Sequence, residues 1–242
     1  MKAMKFYDLH IQSKLSGGES TIEQIVEQAK KLGYAGIAIC DNYQSLEKLE
    51  ELKNEISRIQ TDLEIYLGMK IQAKSVNEMK EILSKIREKV LIVTVSGGDF
   101  LINKAACEDS RVDILFHPES GRFDNGLDES CLESARQNNI AIEINFREIL
   151  NSFRKPRSYT INHISQNIEL CNHFKVPMTI CSGAQSIWDM RTPRDLISIA
   201  NAMGMDIGSA FLSMSSIPLQ IIGENKKILE GKKITEGVEV VE

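Results

Sequence analysis

The fold of this 242-residue chain is decided by the stretch Phe6-Tyr7-Asp8-Leu9-His10-Ile11-Gln12-Ser13. The stretch predicts a short strand, Lys5 to Leu9, whose carboxyl end runs into polar residues. Side chains two positions apart on a strand share a face, so Asp8, His10 and Gln12 are expected to converge on one spot. Folds with parallel strands and helices build sites in this way at the carboxyl ends of their strands.

The same unit, an apolar strand with a polar end followed by a helix, recurs along the whole chain. The predicted strands are Lys5 to Leu9, Gly36 to Cys40, Leu63 to Ile71, Val90 to Val95, Val112 to Phe116, Ile140 to Ile144 and Met178 to Cys181. Helices are signalled between them, for instance by the capping box that starts at Ser20 and by Thr192-Pro193. We predict one α/β domain over residues 1–242, a single barrel of about seven parallel strands surrounded by helices. Its charged tail, 230–242, is either loosely ordered or a docking arm.

Composition restricts the location and the partners of the chain. The formal net charge is −5, so no global basic field indicates nucleic-acid binding, and contact with RNA would need local patches or a basic partner. The five cysteines are widely spaced and form no C-x-x-C pair, which is typical of reduced thiols in an intracellular protein. No run reaches the length of a membrane span. We therefore expect a cytoplasmic protein with no membrane partner.

Polar residues at the predicted strand ends form one constellation, because all of them would line the same mouth of a barrel. They are Asp8, His10, Gln12, Asp41, Asn42, Lys70, His117, Asn145, Arg147 and Gln185. The motifs around them (Asp-Leu-His-x-Gln, Ala-Ile-x-x-Asp-Asn, Leu-Gly-x-Lys, Phe-His-Pro and Ser-Gly-Ala-Gln) resemble the polymerase and histidinol phosphatase (PHP) superfamily. That resemblance implies a TIM-like barrel whose mouth binds two or three metal ions for phosphoester hydrolysis.

This chain departs from the superfamily pattern in one direction. It has Gln12, Asn42 and Gln185 where the superfamily has histidines, Lys70 where it has a glutamate, and Gly183 where it has an aspartate. Carboxamides are poor transition-metal ligands beside imidazole and carboxylate, and an ammonium repels divalent ions. We therefore expect no metal site. The vestigial metal-site positions are Asp8, His10, Gln12, Asp41, Asn42, Lys70, His117 and Gln185.

Three residues of the constellation leave alternatives open. His10 and His117 are either hydrogen-bonded relics of a metal site or functional groups. Lys70 either neutralises Asp8 or Asp41 or binds a phosphate, and a buried ammonium without a carboxylate partner would be costly.

A PHP-like barrel with its metal ligands lost resembles the archaeal ribonuclease P protein component 3 family, over nearly the whole chain. The resemblance implies a subunit of the ribonucleoprotein that cleaves the 5′ leader from precursor tRNA. It implies ribonuclease P RNA, precursor tRNA, component 2 and other subunits as partners. It also implies that the RNA is catalytic, so that this subunit has no catalytic residue or cofactor and magnesium serves the RNA. The alternative is a metal-dependent phosphoesterase of the PHP superfamily.

Two surface groups are candidates for contacts with partners. Arg147, Arg154, Lys155 and Arg157 accompany Phe153 and Tyr159 on a connection, Asn151 to Tyr159, that we expect to be irregular. They form either an RNA contact or a solvated loop. Trp188, Arg191 and Arg194 are predicted to form a partner surface, although Trp188 could equally pack in the core.

Overall fold

The strands follow one another around the molecule in chain order. The computed structural model describes residues 4–231, 233–235 and 238–239. Within them, seven parallel strands form one sheet in the order β1 to β7. These strands are β1 (Tyr7–Ile11), β2 (Gly36–Asn42), β3 (Glu64–Ile71), β4 (Ile92–Ser96), β5 (Ile114–Phe116), β6 (Ala141–Asn145) and β7 (Met178–Cys181). Each lies within two residues of its predicted bounds.

Helices connect the strands and surround them. They are α1 (Ile22–Leu32), α2 (Leu46–Ser57), α3 (Val76–Ile86), α4 (Phe100–Glu108), α5 (Glu129–Gln137), α6 (Phe146–Asn151), α7 (Lys155–Phe174), α8 (Pro193–Ala202), α9 (Ile207–Ser213) and α10 (Ser216–Leu229). The helix start at Thr192-Pro193 is confirmed, because Thr192 is the N-cap and Pro193 is the first helical residue. The first capping box is displaced by one residue from its prediction, because Thr21 and not Ser20 is the N-cap, with Gln24 as its partner. The prediction of a parallel barrel surrounded by helices is therefore confirmed.

The barrel closes fully only near its carboxyl end. There the backbone of Gln12 donates a 2.8 Å hydrogen bond to the carbonyl of Ala184, beside a parallel bridge from Ile11 to Ala184. At the other end of β1, the N–H of Tyr7 donates to the carbonyl of Met214, which lies between α9 and α10. A register shift between Asp8 and Ile11 interrupts the pairing of β1 with β2. The ring of strands is thus closed by backbone hydrogen bonds at the carboxyl end, which we call the mouth of the barrel.

The amino-terminal end of the barrel is covered by α10. Ile222 of this helix packs in a cluster with Tyr7 and Tyr66 from the strands. A buried polar network fixes the helix there. Arg87 forms a 2.7 Å ion pair with Asp113 and donates to Oδ1 of Asn225 at 2.5 Å. α10 is thus fixed at this end, whereas the polar side chains at the strand ends gather at the carboxyl end.

The segment after β6 differs from its prediction. We expected an irregular connection over Asn151 to Tyr159, but α6 ends at Asn151 and α7 already begins at Lys155. Lys155 and Arg157 therefore lie on the first turns of a helix. Pro156 near the start of α7 explains the difference, because the fixed φ of proline suits the first helical turn.

The remaining sequence predictions concern the tail, the cysteines and the membrane. Of the predicted tail, Lys233–Thr235 pairs antiparallel with Val238–Glu239, and 232, 236–237 and 240–242 lie outside the described residues. All five cysteines are free and buried. In the part of the chain that the structure describes, no helix has the length and apolarity needed to cross a membrane.

Close packing in the barrel interior can be tested at one glycine. A Cβ at Gly68 would lie 2.2 Å from Sγ of Cys40, its partner on β2. Gly68→Ala should therefore lower the free energy of unfolding by about 1–3 kcal/mol, the usual cost of overpacking. Adding Cys40→Ala removes the clashing sulfur and should restore much of that loss. Urea denaturation of both variants measures the coupling.

The control for this pair is Gly223→Ala on α10. A Cβ there meets no atom within 4 Å, so the higher helix propensity of alanine should leave the protein unchanged or more stable by up to about 1 kcal/mol. Additive effects of the Gly68 and Cys40 substitutions would contradict the assigned contact.

Candidate functional site

Asp8 is fully buried at the carboxyl end of β1. Its carboxylate accepts hydrogen bonds from the backbone N–H of His10 at 3.2 Å and of Ser182 at 3.2 Å. Burial raises the pKa of Asp8 to about 6, against the opposing effect of these hydrogen bonds. Asp8 therefore ties the end of β1 to the loop that follows β7.

His10 forms the central ion pair of the mouth with Glu143, which the sequence analysis missed. Nδ1 of His10 lies 2.9 Å and 3.0 Å from the two carboxylate oxygens of Glu143. Burial alone would raise the pKa of Glu143, but the His10 charge and hydrogen bond lower it. Asn145, two residues along β6, also donates to this carboxylate. A carboxylate inside the otherwise apolar run Ala141–Ile144 was the signal that could have revealed it.

Lys70 reaches the mouth from β3 and is almost fully buried. Its ammonium donates to Oε1 of Gln12 at 3.0 Å and lies 5.8 Å from the ring centre of Phe116. Burial lowers the pKa of Lys70, and the charges of Glu143 and Asp41 oppose that shift. A cation thus occupies the mouth, where a metal-dependent enzyme would need an anionic ligand.

The predicted partner of Lys70 was wrong. We expected Asp8 or Asp41 to pair with it directly. Asp41 instead accepts from the backbone N–H and the hydroxyl of Ser13, at 2.7 and 2.6 Å. The loop after β1 turns back over the strand ends and takes up this carboxylate, so Lys70 is left to the carboxamide of Gln12.

Gln12 and Gln185 continue the network toward the surface. Nε2 of Gln185 donates to Oε1 of Gln12 at 3.0 Å, and Arg147 donates to Oε1 of Gln185 at 2.6 Å. Arg147 also forms a 2.8 Å ion pair with Asp189. Its guanidinium, one of the predicted RNA contacts, is thus engaged within the mouth. Asn42 has a local role, because its side chain donates to the carbonyl of Ser16 at 3.2 Å.

His117 differs from His10 in its environment. Its backbone has φ of 53°, a left-handed conformation that residues other than glycine adopt rarely. Its Nε2 lies 3.5 Å from Glu148, while its buried Nδ1 has no hydrogen-bond partner among the described residues. Burial lowers the pKa of His117 to about 3, so the imidazole is neutral. One alternative from the sequence was that both histidines are hydrogen-bonded. His10 is hydrogen-bonded, to Glu143, whereas Nδ1 of His117 has no such partner among the described residues.

The donor set does not fit the two-metal centre of the PHP pattern. Glu143 already occupies Nδ1 of His10, and the ammonium of Lys70 lies in the same mouth. Within residues 4–231 and the two short strands of the tail, no three His, Cys, Asp or Glu side chains are arranged to hold a metal ion.

The surface residues predicted to contact partners lie around this mouth. Trp188 is 80% exposed, so the alternative that it packs in the core is wrong. The guanidinium of Arg191 donates to the carbonyl of Trp188 at 2.7 Å and lies over the ring of Phe146. Arg154 lies over the ring of Phe153, and Lys155 over that of Tyr159. Arg194 is exposed at the start of α8.

Comparison with known proteins identifies the family. The family described as RNase P subunit p30 matches residues 5–228. The chain belongs to the RNase P subunit p30 family. Ribonuclease P protein component 3 of Methanothermobacter thermautotrophicus is 33% identical over 98% of this chain and 96% of its own length. Component 3 of Methanococcoides burtonii is also 33% identical, over 100% of this chain and 96% of its own.

Solved structures share the fold of this chain. A chain in a cryo-EM structure of archaeal ribonuclease P with mature tRNA matches with a TM-score of 0.78 and 26% identity, covering 97% of this chain and 98% of that one. A histidinol phosphate phosphatase from Lactococcus lactis has a TM-score of 0.59 at 12% identity, covering 84% of this chain and 95% of its own. The second likeness shows the fold alone. With the family match, the chain is therefore a protein subunit of ribonuclease P on a TIM-like barrel, and the phosphoesterase alternative has no such support.

The raised pKa of Asp8 predicts how stability changes with pH. In the folded protein the Asp8 carboxyl holds its proton to about pH 6, whereas an aspartate in the unfolded chain releases it near the ordinary pKa of 3.8. The ionised carboxylate thus lowers stability as pH rises between these values. In Asp8→Asn this loss is absent. Its free energy of unfolding, relative to the native chain, should rise by roughly 3 kcal/mol from pH 4 to pH 7.

Urea titrations at each pH check this expectation, and Asp8→Ala is the control. Alanine also cannot titrate, so it should show the same relative trend. It removes the acceptor for the N–H of Ser182, however, and should be less stable than Asp8→Asn at every pH. If the free energies of unfolding of the native chain and of Asp8→Asn differ by the same amount at every pH, the raised pKa of Asp8 is wrong.

Proposed function

We propose that this ribonuclease P subunit performs no chemistry itself and supports a catalytic RNA. The observation that carries the proposal is the hydrogen bond from the Lys70 ammonium to Gln12 in the barrel mouth. A hydrolytic PHP site needs acidic and imidazole ligands around its metals. Here a cation and carboxamides are hydrogen-bonded to one another, so the mouth is a structural network. We assign the magnesium requirement of the reaction to the RNA.

Ribonuclease P RNA and precursor tRNA are the partners that this role requires. The solved archaeal ribonuclease P with mature tRNA contains a chain that this one matches over nearly its whole length. The chain has a net charge of −5, so it cannot attract RNA by its overall field. We propose that exposed cations at the carboxyl end make the phosphate contacts, and that component 2 and other protein subunits contribute the rest.

Reconstitution tests the supporting role. Adding this chain, with component 2 and the other protein subunits, to ribonuclease P RNA should increase precursor-tRNA cleavage or lower the magnesium concentration it needs. A complex lacking only this chain is the control. Equal rates with and without the chain would contradict the role. Purified alone, the chain should contain no stoichiometric divalent metal and show no phosphatase turnover, and finding both would instead restore the phosphoesterase alternative.

Charge substitutions test the phosphate contacts. In the assembled complex, the triple change Arg154→Gln, Lys155→Gln and Arg157→Gln should weaken RNA binding. If each cation contacts one phosphate, the slope of log affinity against log salt should fall by about 2–3 in magnitude. Binding measured across a range of salt concentrations gives this slope.

The control for the triple change removes the same charge elsewhere. Lys53, Lys80 and Lys89 are exposed on α2, on α3 and in the turn after α3. Their replacement by Gln alters net charge equally and should leave the slope almost unchanged. If both triple variants reduce the salt slope equally, the three cations act through the overall field of the protein, and the assigned phosphate contacts are wrong.

A further inference from the structure

Exposed aromatic side chains are concentrated at the carboxyl end of the barrel. Phe123 is fully exposed in the loop after β5, Phe153 is 68% exposed between α6 and α7, and Trp188 is 80% exposed in the loop after β7. Tyr159 is 54% exposed on the first turns of α7. We call these four residues the aromatic rim. Leaving aromatic rings in water forgoes the stabilisation of burying them, so the rim indicates a surface that a partner covers.

The segments that carry the rim are joined by direct contacts. Asn125, close to Phe123, donates to Asn167 of α7 at 2.9 Å. The ion pair of Arg147 with Asp189 connects α6 to the loop of Trp188, and Arg191 lies 5.2 Å from the ring centre of Phe146. The strands β5, β6 and β7 are consecutive neighbours in the barrel. The rim is therefore held by one connected structure.

Charge at the rim indicates an anionic partner. Arg154, Lys155, Arg157, Arg191 and Arg194 lie on the same segments as Phe153, Tyr159 and Trp188. Among the residues that the structure describes, none of the five has a carboxylate within 4 Å. At the start of α7, a local cationic excess on an acidic chain thus accompanies exposed aromatic rings, and Arg154 lies over one face of Phe153. Proteins that bind single-stranded nucleic acids combine these two features, because bases stack on the rings while cations hold the phosphates.

We propose that the aromatic rim binds unpaired RNA nucleotides, stacking their bases on Phe123, Phe153 and Trp188. The inference rests on the proposed RNA-supporting function and adds the class of RNA element. Bases within a duplex are stacked on one another and cannot lie against a side-chain ring, so only loops, bulges or single-stranded ends fit. Stacking uses the face that every base has, so the rim should accept different bases. Trp188, predicted from the sequence to face a partner, would face RNA.

Trp188 supplies its own probe, because it is the only tryptophan of the chain. Titrating the full chain with a single-stranded oligouridylate should quench its fluorescence and shield it from acrylamide. A duplex RNA of the same length should do neither. In the assembled complex, the protein should protect the bases of some unpaired nucleotides from chemical modification. These bases should become reactive when aromatic residues of the rim are substituted.

The variants replace aromatic rings with an aliphatic side chain of similar apolar character. Phe123→Leu and Phe153→Leu, which leave the tryptophan probe in place, should each weaken oligouridylate binding about tenfold, the low end to middle of the range for a lost base–aromatic stack. Leu219→Ala on α10, an exposed apolar position outside the rim, is the control and should change affinity less than twofold. Circular dichroism confirms that each variant is folded.

The outcomes separate this inference from the proposed function. The inference is overturned, and the supporting role stands, if three results occur together. The charge variants weaken RNA binding, the two Leu variants bind oligouridylate as tightly as the native chain does, and duplex RNA quenches Trp188 fluorescence as strongly as oligouridylate does. Fluorescence changes on adding a protein subunit without RNA, with no base protection in the complex, would make the rim a protein interface and overturn the inference. Absence of both oligouridylate quenching and base protection would overturn it as well. Loss of cleavage stimulation in reconstitution would separately overturn the role.

Discussion

The buried ammonium of Lys70 determines which chemical groups the mouth of this barrel can hold. It is hydrogen-bonded to Gln12, in the same mouth as the His10 pair with Glu143. Removing an ammonium from water is costly unless nearby charges and dipoles compensate. Here the carboxamide oxygen, the Phe116 ring and nearby carboxylates provide that compensation. The same arrangement does not fit the dinuclear metal centre of the PHP pattern, because the cation lies among the groups that would have to bind the metals.

The two ends of the barrel have different roles for a physical reason. At the amino-terminal end, α10 packs Ile222 among the interior residues and is held by Arg87, Asp113 and Asn225. At the carboxyl end, the polar side chains of the strand ends are hydrogen-bonded to one another. Groups able to meet a macromolecule are therefore displaced outward, to the loops and helix starts around the mouth. The role of a ribonuclease P subunit accords with a surface of this kind.

Burial shifts the pKa values of two strand-end residues at the mouth. The pKa of Asp8 is raised to about 6 and that of His117 is lowered to about 3, in each case chiefly by burial. In many enzymes such shifts prepare acids and bases for catalysis. Because burial is the chief cause of both shifts here, the shifts do not by themselves indicate a catalytic role.

The sequence by itself determined the barrel and the departure of its strand-end motifs from the PHP pattern. Apolar strands, capped helices and the polar residues at strand ends are local features, so they placed β1 to β7 within two residues. The substitutions Gln12, Lys70 and Gln185 stand in motifs that are read directly. Even Glu143 carried a local signal, a carboxylate within an apolar strand.

Only the tertiary structure decided which side chains pair and which surfaces are open. Lys70 was expected to meet Asp8 or Asp41, but the loop carrying Ser13 folds over Asp41 and satisfies it first. The exposure of Trp188 and the gathering of Phe123 with Phe153 at one end depend on loops that are distant in the chain. Partner choice among buried charges and the exposure of a ring are set by three-dimensional packing, which strand and helix periodicity does not encode.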